Sequence, residues 1–318
     1  MQENPIPQAF ASLTLGPIIE HAALAVTPLI GDDEPACDYL TLDEALASRL
    51  ADITEVSEAG SVPELRVRNR AAKPVLIIDG EELVGAKQNR VINLTVLVPA
   101  ASDMTIPVSC VEAGRWHRDT AAFAAAPRAH FASGRAEKMS QVSHSLAHSG
   151  TRGSDQHAVW DAISEKASRM QAHSDTSAMA AIFDRHTRPV EEYVNALRGV
   201  DRQRGAIFSV HGRPAGVELF DRADVWRRLA PKLIRSYAID AVDGPGRRPA
   251  GAPAPSSLLD VLAKAESRAF KAIGVGSDVR VDTEALVGAA LVIDGRVVHL
   301  AAFASDGGRD RRTPQATF

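Results

Sequence analysis

Two cysteines, Cys37 and Cys110, are all that this chain carries. They are too few for a disulfide framework or a four-cysteine zinc site, and they lead us to expect reduced thiols in a cytoplasmic protein. Basic charge is not in excess, since 36 Lys and Arg stand against 40 Asp and Glu for a net charge of -4. A nucleic-acid binder that works through a basic surface is therefore not expected. Long hydrophobic runs are missing too. None reaches the roughly 18 residues of a membrane span, and MQENPIPQAF lacks the basic and apolar parts of a secretory signal, so no membrane partner is expected. There is no phosphate-binding loop and no GxGxxG after a strand, and GVGS (Gly274 to Ser277) is too short a signal to use.

What is present is an ordinary globular composition, 45% hydrophobic and 24% charged over 318 residues, enough for one large domain or two ordinary ones. Residues 1 to 9 are polar, contain two prolines and read as an irregular arm. Ala11 to Leu15, His21 to Leu29, Ile53 to Val56 and Leu65 to Val67 read as strands. Thr41, with Glu44 three positions later, forms a capping box for a short helix. Asp119 to Asp155 is rich in Ala, Ser, His and Gly and reads as a partly mobile connection with at most one weak helix. Beyond it, Val159, Ile163, Ala167 and Met170 share one helical face, and Pro189 suits the first turn of another helix. Asp221 to Ala241 is a long helical stretch that Pro231 should kink or split. Ser256 caps a helix from Ser257 to Ala272, and the tail after Ser305 reads as disordered. Hairpins turn at His211-Gly212 and Asp294-Gly295, and GAIFSVHGRPAGVELF echoes GAALVIDGRVVHLAAF at five positions.

These readings give an α+β fold. A mostly antiparallel β sheet or open barrel occupies the N-terminal part, and helices packed with β-hairpins occupy the C-terminal part. The expected units are 1–118, a connection at 119–153, 154–305, and a tail at 306–318.

The stretch from Pro74 to Trp116 organises the first unit. Asp79-Gly80 predicts a hairpin turn after Val75 to Ile78. Asn89 to Val98 predicts a second long strand, and Met104 to Val111 a third. Glu81, Glu82, Lys87, Gln88, Asn89 and Arg90 put six polar side chains into ten positions. The period of two leaves Arg90 at the open end of an apolar row, Ile92, Leu94, Val96 and Val98. A guanidinium held there suits a phosphate or carboxylate. It suits equally a glutamate, Glu81 or Glu82, that closes the end of a barrel. Lys87 can add a point charge and Gln88 an amide. Glu112 and Arg115 form a polar rim, and Trp116 can stack on a planar ligand. Cys110 near His117 suggests a nucleophile, although a cysteine in an apolar strand is usually an inert small hydrophobe. His144 and His148 have the spacing of two metal ligands on a helix, but no third is placed, so no metal site is assigned. No cofactor is indicated.

At YLTLDEAL, SVPELRVRNR, PVLIIDGEELVGAKQNRVINLTVLVPA, IPVSCVEAGRW and SDQHAVW the chain resembles a bacterial family. It is the domain named for its association with ADP-ribosylglycohydrolases and rhodanese-phosphatase-superfamily proteins. The resemblance covers most of residues 5 to 245, and GEELVGAKQNR is its most specific part. It implies work on ADP-ribose or a related phosphorylated small molecule. In that reading Lys87 and Arg90 hold phosphate, Gln88 and Asn89 orient it, and Trp116 stacks on a base or ring, with Arg115 beside them. Glu82 or Glu112 would serve as acid or base if chemistry occurs. The alternative is a non-catalytic interaction or structural module in which these charges form a buried network.

Overall fold

The two-residue turns at His211-Gly212 and Asp294-Gly295 fold the chain back on itself with positive φ at both residues, 51° and 76° in the first and 49° and 78° in the second. That geometry matches the right-handed twist of the flanking strands. It builds two antiparallel hairpins, Gln203–Val210 with Arg213–Phe220 and Leu286–Ile293 with Arg296–Ala304. They lie side by side, joined where Gly216 pairs with Phe303 and Phe220 with His299. The sequence echo is therefore two neighbouring hairpins of one sheet. We describe a computed structural model covering residues 4–58, 60–117, 120–244, 254 and 256–305.

Among these residues the largest sheet has nine strands. Leu24–Ile30 packs against Gln203–Val210 on one flank and against Thr14–Leu15 and Ile19–His21 on the other. Ser277–Asp282 and Ser267–Lys271 extend the opposite side. The helix Ala223–Val242 lies on this sheet and buries Val225, Trp226, Leu229, Leu233 and Tyr237, with the Tyr237 ring stacked on Phe208 at 3.9 Å.

A six-stranded sheet runs Phe123–Ala129, Glu81–Gly85, Arg90–Ile92, Ser102–Cys110, Glu64–Asn69, Ala51–Glu55. It curls until its two edge strands meet, a half-barrel filled by Leu65, Val67, Leu83, Ile92, Ile106 and Phe123. The α+β architecture is thus as the residue pattern implies. Thr41 and Glu44 cap the helix Leu42–Ala47 reciprocally, with the Glu44 carboxylate accepting from the Thr41 amide at 2.9 Å.

Six local expectations are corrected. Pro5–Ala11 is a helix rather than an arm, because proline is tolerated in a first turn and the Asn4 side chain accepts from the Ile6 amide at 3.1 Å. Asp79-Gly80 does turn the chain, with Gly80 at φ 80°, but not into a hairpin. Val75–Ile77 pairs with Val96–Val98, whereas Glu81–Gly85 pairs with Arg90–Ile92. The turn is a corner between two sheets. Asn89 to Val98 breaks for the same reason: the Asn93 side chain donates to Arg152 O at 3.2 Å, and Thr95 Oγ1 bonds His299 Nδ1 at 2.7 Å. The segment read as a weak connection holds the strand Phe123–Ala129 and the helix Ala132–Ser149. Of the kink or split expected at Pro231, the split does not occur, because the helix runs on to Val242. The helix at Ser257 stops at Lys264 without a side-chain cap from Ser256, and Ser267–Lys271 follows as a strand. The expected tail from 306 lies outside the described residues.

A buried polar ring ties the layers together. Asp79 accepts from Lys138 Nζ and from Arg135 Nε, the latter at 3.1 Å, and Arg135 Nη1 donates to Glu218 at 2.6 Å. Glu218 in turn meets Tyr237 Oη and His299 Nε2, both at 3.2 Å. The Asp79 amide donates to Thr95 Oγ1 at 3.1 Å, which closes the circuit through His299. Burial alone would raise the Asp79 carboxyl, but Lys138 and Arg135 outweigh it and hold the group below the usual carboxylate range.

Candidate functional site

The chain between Glu81–Gly85 and Arg90–Ile92 makes a tight turn that needs Gly85 at φ 124° and Ala86 at φ 42°. Two side chains hold it. Asn89 Oδ1 accepts from the Gly85 amide at 3.2 Å, and Arg115 Nη1 donates to Ala86 O at 2.9 Å. Arg115 Nη2 also reaches Asn89 Oδ1 at 3.1 Å and Glu112 Oε2 at 2.7 Å. Glu112 Oε2 takes the Asn89 amide at 3.1 Å, and Glu112 Oε1 takes the Thr176 hydroxyl at 2.8 Å. Burial would raise the Glu112 carboxyl, but the bonds from Arg115, Thr176 and the Asn89 amide outweigh it and keep the group low. Asn89, Glu112 and Arg115 therefore form a saturated network that shapes the turn.

Arg90, Lys87 and Trp116 are arranged differently. Arg90 is wholly buried between Leu83 and Cys110 on the adjacent strands. Its Nη1 donates to Gln88 Oε1 at 3.0 Å, and Gln88 Nε2 is anchored on Glu112 O at 3.0 Å. Arg90 Nε and Nη2 have no hydrogen-bond partner among the described residues. Among the described residues Glu55 brings a carboxylate up to the guanidinium, with Oε1 at 4.0 Å from Nη2, and Glu55 Oε2 is also buried without a hydrogen-bond partner among them. Burial pushes the Arg90 guanidinium down from its ordinary value. Above it sits the indole of Trp116, 48% exposed, with Lys87 Nζ 5.2 Å and the Arg90 guanidinium carbon 5.8 Å from the ring centroid. Such contacts place a cation on the negative face of the ring.

The glutamate expected beside Arg90 is neither of the two foreseen. Glu81 takes Lys232 Nζ at 2.7 Å and gives its other oxygen to the Ile78 amide at 2.9 Å. Glu82 pairs with Arg128 Nε, while Glu82 Oε1 is buried without a partner among the described residues. Burial pushes the Glu82 carboxyl up. Cys110 is buried and its thiol is likewise pushed up by burial, which works against a thiolate nucleophile. His144 and His148 stack at 3.9 Å, and no group of three or more His, Cys, Asp or Glu that could hold a metal occurs among the described residues.

Glu55, Thr176 and Arg128 are the site residues that the sequence reading passed over. A signal for Glu55 was available: Ala51, Ile53 and Glu55 alternate inward, which puts a carboxylate on an otherwise apolar face. Thr176 and Arg128 belong to a distant loop and an edge strand, and no local pattern announces them.

Residues 12–303 match the model of the ARG and Rhodanese-Phosphatase-superfamily-associated Protein domain. No curated protein and no solved structure matches the chain. No helix among the described residues is long and apolar enough to cross a membrane.

Proposed function

This chain belongs to the ARG and Rhodanese-Phosphatase-superfamily-associated Protein domain family, and we propose that its Arg90–Lys87–Trp116 cluster binds an ADP-ribose-like or other phosphorylated small molecule. The observation that carries the reading is the buried Arg90 guanidinium, two of whose nitrogens lack hydrogen-bond partners among the described residues, beneath a half-exposed indole. A fold rarely keeps buried donors unsatisfied unless something else satisfies them. Two oxygens of one phosphate, at Nε and Nη2, would do so through two parallel charge-assisted bonds. Lys87 supplies a further charge, Gln88 fixes the guanidinium, and Trp116 offers a face to a base or ring. Asn89 and Arg115 act at one remove by holding the turn. The family's association with ADP-ribosylglycohydrolases supports the substrate class by company alone. If the protein also does chemistry, Glu82 is better suited than Glu112 to be the acid or base, since burial raises its carboxyl and one oxygen is unpartnered among the described residues.

The saturated Glu112–Arg115–Asn89–Thr176 network favours the second reading, a structural or interaction module, for that half of the cluster. A thermal-shift comparison of wild type and Arg90→Met with ADP-ribose, NAD, nucleotides and inorganic phosphate separates the two. A ligand at about 100 times its dissociation constant should stabilise wild type by roughly 2.7 kcal/mol, and a folded Arg90→Met should show no such gain. No stabilisation of wild type by any of these compounds would reject the ligand site.

A further inference from the structure

Resting on that reading of the Arg90 cluster, we infer that Glu55 selects the ligand: the site takes a phosphorylated compound that carries a hydroxyl beside its phosphate, a sugar phosphate rather than a bare phosphate. Glu55 and Arg90 face each other too far apart to bond directly, 4.0 Å between Oε1 and Nη2. Glu55 Oε1 takes only the Lys87 amide, at 3.4 Å, and Oε2 takes nothing among the described residues. A ligand that satisfied Arg90 alone would bring its negative charge against a buried carboxylate, and like charges at short range are strongly unfavourable in a dry site. A ligand with an acceptor for Arg90 and a hydroxyl donor for Glu55 Oε2 satisfies both sides at once.

Gly60 lies where Glu55 meets the Trp116 indole and the Lys87 stem. A Cβ built there would stand 3.4 Å from Glu55 Oε2, 3.4 Å from Trp116 Cζ2 and 3.2 Å from Lys87 Cδ. Carboxylate, indole and lysine stem thus converge on one point, and the residue at that point has no side chain. Gly60 also sits at φ 80°, which disfavours any replacement. The convergence brings the unpartnered Glu55 Oε2 and the Trp116 indole to the same glycine, on the side of the cluster where Arg90 and Lys87 meet that ring.

Calorimetric titration with two probes tests this: ribose 5-phosphate, and tetrahydrofurfuryl phosphate, which keeps the ring and phosphate but has no hydroxyls. ADP-ribose serves as a third ligand. Wild type should bind ribose 5-phosphate about tenfold or more tightly than the hydroxyl-free probe, the worth of a hydrogen bond to a charged group. In Glu55→Gln the preference should fall below about threefold, while the hydroxyl-free probe binds equally well or better because the repelling charge is gone. Glu55→Asp, which keeps the charge but withdraws the oxygens, should also lose the preference, and it stands in if the glutamine variant does not fold. Equal binding of both probes by wild type overturns the role of Glu55 and leaves the Arg90 site standing. Failure of wild type to bind either probe or ADP-ribose overturns the site itself, and the role of Glu55 with it.

Discussion

Replacing Arg90 by methionine and measuring stability alone distinguishes a ligand site from a structural network, because the two predict different outcomes. Arg90 Nη1 reaches Gln88 Oε1 at 3.0 Å and Asn89 O at 3.5 Å, while Nε and Nη2 are unpartnered among the described residues. Each buried donor left unsatisfied costs about 1–3 kcal/mol, so two such nitrogens weigh on the ligand-free fold by roughly 2–6 kcal/mol. Against this stands the attraction to Glu55 across 4.0 Å, about 4 kcal/mol at an effective dielectric constant near 20. The opposing terms nearly cancel. Arg90→Met should therefore change stability by no more than about 2 kcal/mol, short of the roughly 3–5 kcal/mol lost when a structural ion pair is broken. Adding Glu55→Leu removes the carboxylate that the first change leaves alone, and the double variant should be more stable than wild type by about 1–4 kcal/mol. Guanidinium chloride unfolding, with the slope confirmed equal among the variants, reads the difference directly. In a melting experiment each kcal/mol corresponds to roughly 2–4 °C for a chain somewhat smaller than this one. A loss of about 3 kcal/mol in Arg90→Met that Glu55→Leu does not restore would refute the reasoning and assign Arg90 to the scaffold.

Two further outcomes follow from the buried polar ring and its neighbour. Asp79→Asn strands Lys138 and Arg135 without their shared carboxylate, and denaturant unfolding should show a loss of about 3–5 kcal/mol; a loss under about 1 kcal/mol would show that the ring is not what joins the layers. His130, buried with both ring nitrogens unpartnered among the described residues, is pushed down to about 3 by burial and by nearby Lys138. The unfolded chain then binds a proton that the folded one refuses, so stability is full above the ordinary histidine value of 6.5 and is lost as pH falls from there toward 3. Urea midpoints across that range should decline with a slope of about one proton in wild type and less steeply in His130→Phe; parallel slopes would exclude His130 as the source.

How far the residues announce the structure depends on where each polar group finds its partner. The capping box at Thr41 and Glu44, the turns at His211 and Asp294 and the apolar face of Gln156–Arg169 are settled within a few positions of the chain, and all were legible. The helix Ala132–Ser149 was not, because its buried face carries Arg135 and Lys138. Their partners, Asp79 and Glu218, are 56 and 83 residues away from Arg135, so local hydropathy reads a core helix as a solvated one. Asp79 misled in the complementary way: as a turn residue it promised a hairpin, while its buried carboxylate was anchoring a corner. At the candidate site, the density of polar residues from Glu81 to Arg90 pointed to the right stretch. Its division into a saturated half and an unsatisfied half depends on Glu55 and Thr176, which only the folded chain brings into place.

The position of Leu24–Ile30 in the largest sheet has a consequence for the birth of the molecule. Its principal neighbour, Gln203–Val210, comes about 180 residues further along the chain, a separation of the kind that makes folding slow. At ribosomal speed that is a wait of roughly ten to thirty seconds, during which an apolar strand has emerged and its mate has not been made. The half-barrel, whose strands all lie between Ala51 and Ala129, can close in the meantime. Synthesis of this protein thus passes through a stage at which one sheet is finished and the first strands of the other stand open, the interval in which a chaperone would matter most.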